Sequence, residues 1–155
     1  LLQDELPQYI KSLSDEYGLK PEQIELEITE SVFFQDMERL VAIIKQMRDL
    51  GFVISMDDFG AGFSTLSLMK SLPVDVIKLD GSFFLKSELD DKNKAVIAAM
   101  LHLAENLGFE VIAEGVEKKE QVDFIRGQGG RLVQGYYYYK PMPADEFEKL
   151  LTEKK

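Results

Sequence analysis

Residues 47–60 read MRDLGFVISMDDFG, and residues 103–115 read LAENLGFEVIAEG. The two stretches follow one plan: the end of an amphipathic helix, a Leu-Gly stop, a phenylalanine, a short apolar run, an acid and a glycine. A glycine after the last helical residue accepts the left-handed backbone that closes a helix. A short apolar run between such stops reads as a buried strand. Residues 125–136, IRGQGGRLVQGY, repeat the plan loosely, with Gln134 in the acid's place. Helix, short link and strand in alternation predict parallel strands joined by right-handed crossovers, an α/β fold.

The flanking segments fit the same alternation. Residues 4–18 are helical in pattern and stop at Gly18, while QIELEIT (23–29) alternates Ile24, Leu26 and Ile28 as a strand does. Residues 36–51 place Leu40, Ile43, Ile44, Met47 and Leu50 on one helical face. The runs FVISM (52–56), VDVIKLD (74–80), FEVIAEG (109–115) and RLVQG (131–135) complete five strands. Helices are expected at 64–72, 93–108, 118–129 and 143–153, the last with Pro143 near its start. The charge runs KSELDDKNK (86–94) and EKKEQ (117–121) read as solvated faces, and His102, on an apolar helix, as structural.

The 155 residues suffice for one domain with a real core, 45% of them being hydrophobic. Lys and Arg number 18 against 28 Asp and Glu, a formal charge of -10, which argues against a binder of nucleic-acid polymers or membrane surfaces. With no cysteine and one histidine, any metal site must rest on carboxylates, which favour Mg, Mn or Ca. No apolar run approaches the ~18 residues of a membrane span, and a cytoplasmic setting is the expectation. The chain opens on Leu1, so it is expected to be a piece of something longer.

Polar residues stand where the apolar strands end: Glu27, Asp57 with Asp58, Lys78 with Asp80, Glu114 and Gln134. In a parallel α/β protein the carboxyl ends of all strands lie on one side, so these residues converge although distant in sequence. A ring of carboxylates around one lysine needs neutralising charge, and divalent cations supply it most simply. The adjacent pair Asp57–Asp58 therefore reads as a bridge between two ions, the arrangement used to displace a phosphoryl group with water. Gly60 and Gly62 would let the following loop pass close by.

Four ordered stretches, ELEITES (25–31), MDDFGAGFSTLSLMKSLPVDVIKLDGSF (56–83), VIAEGVE (111–117) and QGYYYYKPMP (134–143), closely resemble the EAL family of cyclic di-GMP phosphodiesterases. The resemblance covers nearly the whole chain. It implies a TIM-like (β/α) barrel that uses Mg²⁺ or Mn²⁺ to open one phosphodiester bond of cyclic di-GMP, giving linear pGpG. By the same resemblance, Glu27 and Asp57 match ligands of the first metal, Asp57 bridges to the second, and Asp58 and Glu114 complete it. Lys78 resembles the lysine that holds the attacking water or a phosphate oxygen, and Gln134 a glutamine bonded to metal waters. Glu30 looks like the anchor of the loop carrying DFGAGFS, and Glu117 like a supporting acid. Phe63, Tyr136 and Pro141 are candidates for contact with substrate, whereas most of Tyr136–Tyr139 are expected to pack.

The chain also departs from the family pattern. The EAL tripeptide, the arginine after it and the asparagine of a later strand are all missing, and Ala61 and Phe63 replace threonine and tyrosine of the usual DFGTGYSS. A complete barrel takes about 250 residues, so the N-terminal strands are expected to be absent and residues 1–155 to form the C-terminal part of a single domain. The fragment alone is then expected to be inactive and to self-associate as a homodimer. The parent could be membrane-anchored through other domains. The alternative is a catalytically degenerate domain that senses cyclic di-GMP or binds a protein partner.

Overall fold

The computed structural model describes residues 5–29, 32, 36–60, 69, 72–84 and 90–153. Among them are five strands, β1 (Glu25–Thr29), β2 (Val53–Phe59), β3 (Val76–Leu79), β4 (Glu110–Ala113) and β5 (Leu132–Val133). Five helices accompany them: α1 (Leu6–Glu16), α2 (Met37–Asp49), α3 (Asp91–Asn106), α4 (Lys119–Gly127) and α5 (Ala144–Glu153). The strands are all parallel and lie in the order β1-β2-β3-β4-β5. Each strand follows its neighbour without the reversal that marks a doubly wound sheet, so the sheet is an arc of a TIM-like barrel. The arc is open: β1 pairs only with β2, and β5 only with β4, among the described residues.

The repeated Leu-Gly stop does what its residues dictate. Gly51 and Gly108 take φ of 97° and 83°, and each closes a helix one residue before the chain enters a strand through Phe52 or Phe109. At the other helix ends, Asp36 accepts the Arg39 amide at 3.2 Å and Asp90 accepts the Asn93 amide at 2.7 Å. Such caps each contribute about 1 kcal/mol. Asp75, at the start of β3, holds Arg48 of α2 at 2.8 Å and accepts the Ile54 amide at 3.0 Å.

The pleat sorts the sheet into an apolar and a polar side. Ile54, Met56, Ile77, Leu79 and Ala113 are buried in one core with Leu40, Ile43, Ile44 and Met47 of α2, Ile97, Leu101 and Ala104 of α3, and Val122 and Ile125 of α4. Each large aliphatic side chain so covered stabilises the fold by about 1.5–3 kcal/mol. By the strand register, alternate residues share the opposite side: Glu27, Ser55, Asp57, Val76, Lys78 and Ile112. Glu114 and Gln134 continue the β4 and β5 rows one residue beyond each strand.

Four expectations need correction. Strand β2 does not end at Met56 but runs through both aspartates to Phe59, because pairing with β1 and β3 continues past the apolar run. Tyr136–Tyr139 are exposed rather than packed: β5 is only two residues long, and the tyrosines fall beyond it on a turn. His102 lies on the exposed face of α3. Gln121 is buried at 4% exposure, although it ends the charge run read as a solvated face. The helix expected at 64–72, apart from buried Met69 and Leu72, lies outside the described residues, as do Glu30, Ala61, Gly62 and Phe63. Among the described residues, no helix is long and apolar enough to cross a membrane.

Candidate active site

The polar side of the sheet is organised by a β-bulge. Met56 pairs with Ile77 and Phe59 with Leu79, so Asp57 and Asp58 together stand opposite the single residue Lys78. Asp58 takes φ of 56°, a left-handed conformation that few residues but Gly, Asn and Asp accept. Consecutive strand residues normally point to opposite faces. Here the extra residue and the left-handed turn bring both carboxylates to one side, where ligand atoms of Asp57, Asp58 and Glu114 lie within 4.8 Å of one another.

Lys78 occupies the middle of β3, with its side chain 7% exposed. Its Nζ donates to Glu27 Oε1 at 2.7 Å and lies 2.8 Å from Glu114 Oε1 and 3.2 Å from Asp57 Oδ1. Three carboxylates from three strand ends thus meet at one ammonium from a fourth strand. Burial works to deprotonate Lys78, but the hydrogen bonds to Glu114 and Glu27, with the Asp57 carboxylate close by, outweigh it and hold the ammonium above the usual lysine range. Glu114 is raised as well: burial lifts its carboxyl above the ordinary range, against the pull of Lys78. Desolvation, then the neighbouring charges of Asp57 and Asp80, raise Asp58 as well.

One cation does not balance this acid set. Asp57 Oδ1, though near the ammonium, is buried without a hydrogen-bond partner. A buried carboxylate oxygen left to an ion pair alone, beside two further carboxylates, belongs to a donor set suited to a hard divalent cation. The residues present therefore fit such an ion. Glu27 stands apart from that group, paired to Lys78.

The remaining candidates surround a neighbouring hollow. A cavity of about 550 Å³ is lined by Glu117, Gln134, Tyr136, Lys140, Pro141 and Phe147, among others. Lys140 Nζ stands 5.4 Å from the centre of the Tyr136 ring, within cation–π range. Gln134 is held by its backbone, donating to the Ala113 carbonyl at 2.8 Å and accepting from the Val116 amide at 3.2 Å. Asp80, named with Lys78 among the strand-end residues but given no role from the sequence, faces Asp58 and raises its carboxyl while accepting the Ser82 amide at 2.8 Å. Lys140 carried no signal beyond its place after the tyrosines.

The EAL domain family model matches residues 1–141, and the chain belongs to that family. An uncharacterized signaling protein of Caulobacter vibrioides is 42% identical over 140 residues, spanning 90% of this chain and 17% of that protein. The cyclic di-GMP phosphodiesterase NbdA of Pseudomonas aeruginosa is 32% identical over 142 residues, spanning 92% of this chain and 18% of its own length. The chain thus covers less than a fifth of these relatives. The crystal structure of the EAL domain of Mycobacterium smegmatis DcpA superposes with a TM-score of 0.92 at 34% identity, covering 99% of this chain and 69% of that one.

Proposed function

We propose that the chain is the C-terminal portion of a single EAL-type domain, and that the complete domain hydrolyses cyclic di-GMP to linear pGpG in bacterial second-messenger signalling. Family membership supports the activity, and the relative NbdA carries it in its name. The observation that carries the reading is the bulge that sets Asp57 and Asp58 together against Lys78, with Glu114 beside them.

In this reading Glu27 and Asp57 would hold a first Mg²⁺ or Mn²⁺, and Asp57, Asp58 and Glu114 would hold a second. When bound, the two ions supply Lewis acidity and a nucleophilic water at neutral pH. Lys78 offers a fixed positive point charge to that water or to a phosphate oxygen, and its three acidic neighbours keep it protonated for the purpose. As an ammonium it has no lone pair, so it orients and stabilises rather than ligating. Gln134, on the same side of the sheet, presents an amide able to donate and accept. Tyr136 and Pro141 line a hollow beside this face that suits a flat purine, with Glu117 at its margin and Lys140 over the ring of Tyr136. Glu30 and Phe63 keep the roles given by resemblance, as loop anchor and substrate contact.

The gathering of Asp57, Asp58 and Glu114 within 4.8 Å, with Lys78 paired to Asp57 and Glu114, argues for an enzyme over a degenerate sensor. We further propose a cytoplasmic domain that self-associates through its barrel edges or helices. Release of pGpG from cyclic di-GMP by the complete domain, with Mg²⁺ or Mn²⁺ and in its Asp57→Asn variant, tests the reading. No release from the unsubstituted domain, or undiminished release from the variant, overturns it.

A further inference from the structure

Gln121 is a polar side chain with no role in the chemistry above, yet it is 4% exposed and bonded at both ends of its amide. It sits in the first turn of α4, where most side chains are solvated. Its Oε1 accepts from the Glu117 amide at 2.8 Å and the Lys118 amide at 2.9 Å. Its Nε2 donates to the Phe84 carbonyl at 2.9 Å. One amide therefore ties the segment after β4 to the segment after β3.

Those two segments carry the site. Lys78 and Asp80 lead into the short 3-10 turn Gly81–Phe83 that ends at Phe84, and Glu114 leads through Gly115 to Glu117. The segments also touch directly: a Cβ on Gly115, where φ is 65°, would stand 2.8 Å from the Gly81 Cα. Beyond them, Val116 donates to the Gln134 carbonyl at 3.2 Å and accepts from the Tyr137 amide at 3.0 Å. The ends of β3, β4 and β5 are thus joined backbone to backbone, with Gln121 as the side chain that latches the first two.

We infer that Gln121 is a positioning residue: its amide fixes the separation between the β3 and β4 ends and so seats Glu114 against Lys78 and beside Asp57 and Asp58. The inference rests on the function proposed above. Only a neutral group with both an acceptor and a donor meets this demand. A carboxylate at 121 would keep the two amide bonds but set a lone pair against the Phe84 carbonyl, whereas a protonated carboxyl would restore the donor.

The test uses the complete domain bearing Gln121→Leu or Gln121→Glu. Gln121→Leu should lower both kcat and Mn²⁺ affinity about tenfold, with the KM for cyclic di-GMP changed less than about twofold. Hydrogen exchange at the Glu117 and Lys118 amides should quicken. In Gln121→Glu the deficit in Mn²⁺ affinity, relative to the unsubstituted domain at each pH, should shrink as pH falls. Should Gln121→Leu fail to fold, that pH trend alone decides. Mn²⁺ affinity equal to the unsubstituted domain's in the folded variants, or a Gln121→Glu deficit independent of pH, overturns the inference. Mn²⁺ binding, read by electron paramagnetic resonance, needs no turnover. An unsubstituted domain that does not cleave cyclic di-GMP would therefore sink the proposed function while leaving this inference to the binding data.

Discussion

The carboxylates of Asp57 and Asp58 lie within 4.8 Å of each other although the two residues are consecutive in a β-strand. A regular pleat would send them to opposite faces. Two like charges are held together here by a bulge and by a left-handed residue, an arrangement that costs free energy unless a cation is near. This relationship, more than the acid count, gives the site its chemistry.

The backbone at Asp58 can be tested apart from its charge. Asn tolerates the left-handed region and Val does not, so Asp58→Asn, which also removes one of the crowded charges, should keep or raise the melting temperature, while Asp58→Val should be about 1–2 kcal/mol less stable than Asp58→Asn. Thermal unfolding of both variants, without metal, checks this. Equal stabilities would mean that the strand adopts a regular pleat.

Lys78 is expected to play two parts. Without metal, Lys78→Met leaves three carboxylates facing one another, and removing one partner of a buried pair costs about 3 kcal/mol or more. Glu27 is half exposed, so the lower end applies. Divalent cation should restore more stability to this variant than to the unsubstituted domain, while turnover stays low. Melting curves with and without Mg²⁺, together with pGpG release, separate the effects. Loss of metal affinity as severe as in Asp57→Asn would show that Lys78 had been given the wrong part.

Acid should weaken metal binding early. Asp58 and Glu114 hold their protons above the ordinary carboxylate range of about 4. A raised pKa means that, as pH falls, these groups protonate sooner and must release a proton to bind an ion, so affinity drops with acidification. Calorimetric titration with Mn²⁺ over a pH series should show the decline beginning above the ordinary carboxylate range. An affinity flat down to that range would contradict the raised values.

Gly115→Ala should do harm out of proportion to one methyl. The residue sits at a φ of 65° with the Gly81 backbone 2.8 Å from the new Cβ, and neither can give way cheaply. The left-handed position alone costs more than about 1 kcal/mol. A parallel fall in stability and pGpG release is the expected outcome, measured against Gly127→Ala, where a Cβ meets nothing within 4 Å.

Much of the architecture was legible because it rests on local chemistry. Leu-Gly stops, short apolar runs and their repetition specify helix ends, strands and a parallel order without reference to anything distant. The gathering of Glu27, Asp57, Lys78 and Glu114 followed from that order alone. The tyrosines misled because four aromatic residues after a strand suggest a longer wall than the two residues of β5 provide. Gln121 was hidden in EKKEQ, a run whose composition says solvent; only contact with Phe84, 37 residues earlier, buries it.

What the sequence determined by itself was the set of elements, their parallel succession and the face on which the acids and Lys78 meet, since each depends on periodicity and punctuation within a few residues. The tertiary structure alone decided that β2 carries one residue more than β3 at Asp57–Asp58, that Lys78 is shared among three carboxylates, and that Gln121 latches two strand ends. These features are set by pairing between segments far apart in the chain. Register and burial belong to the partners jointly, and no single stretch encodes them.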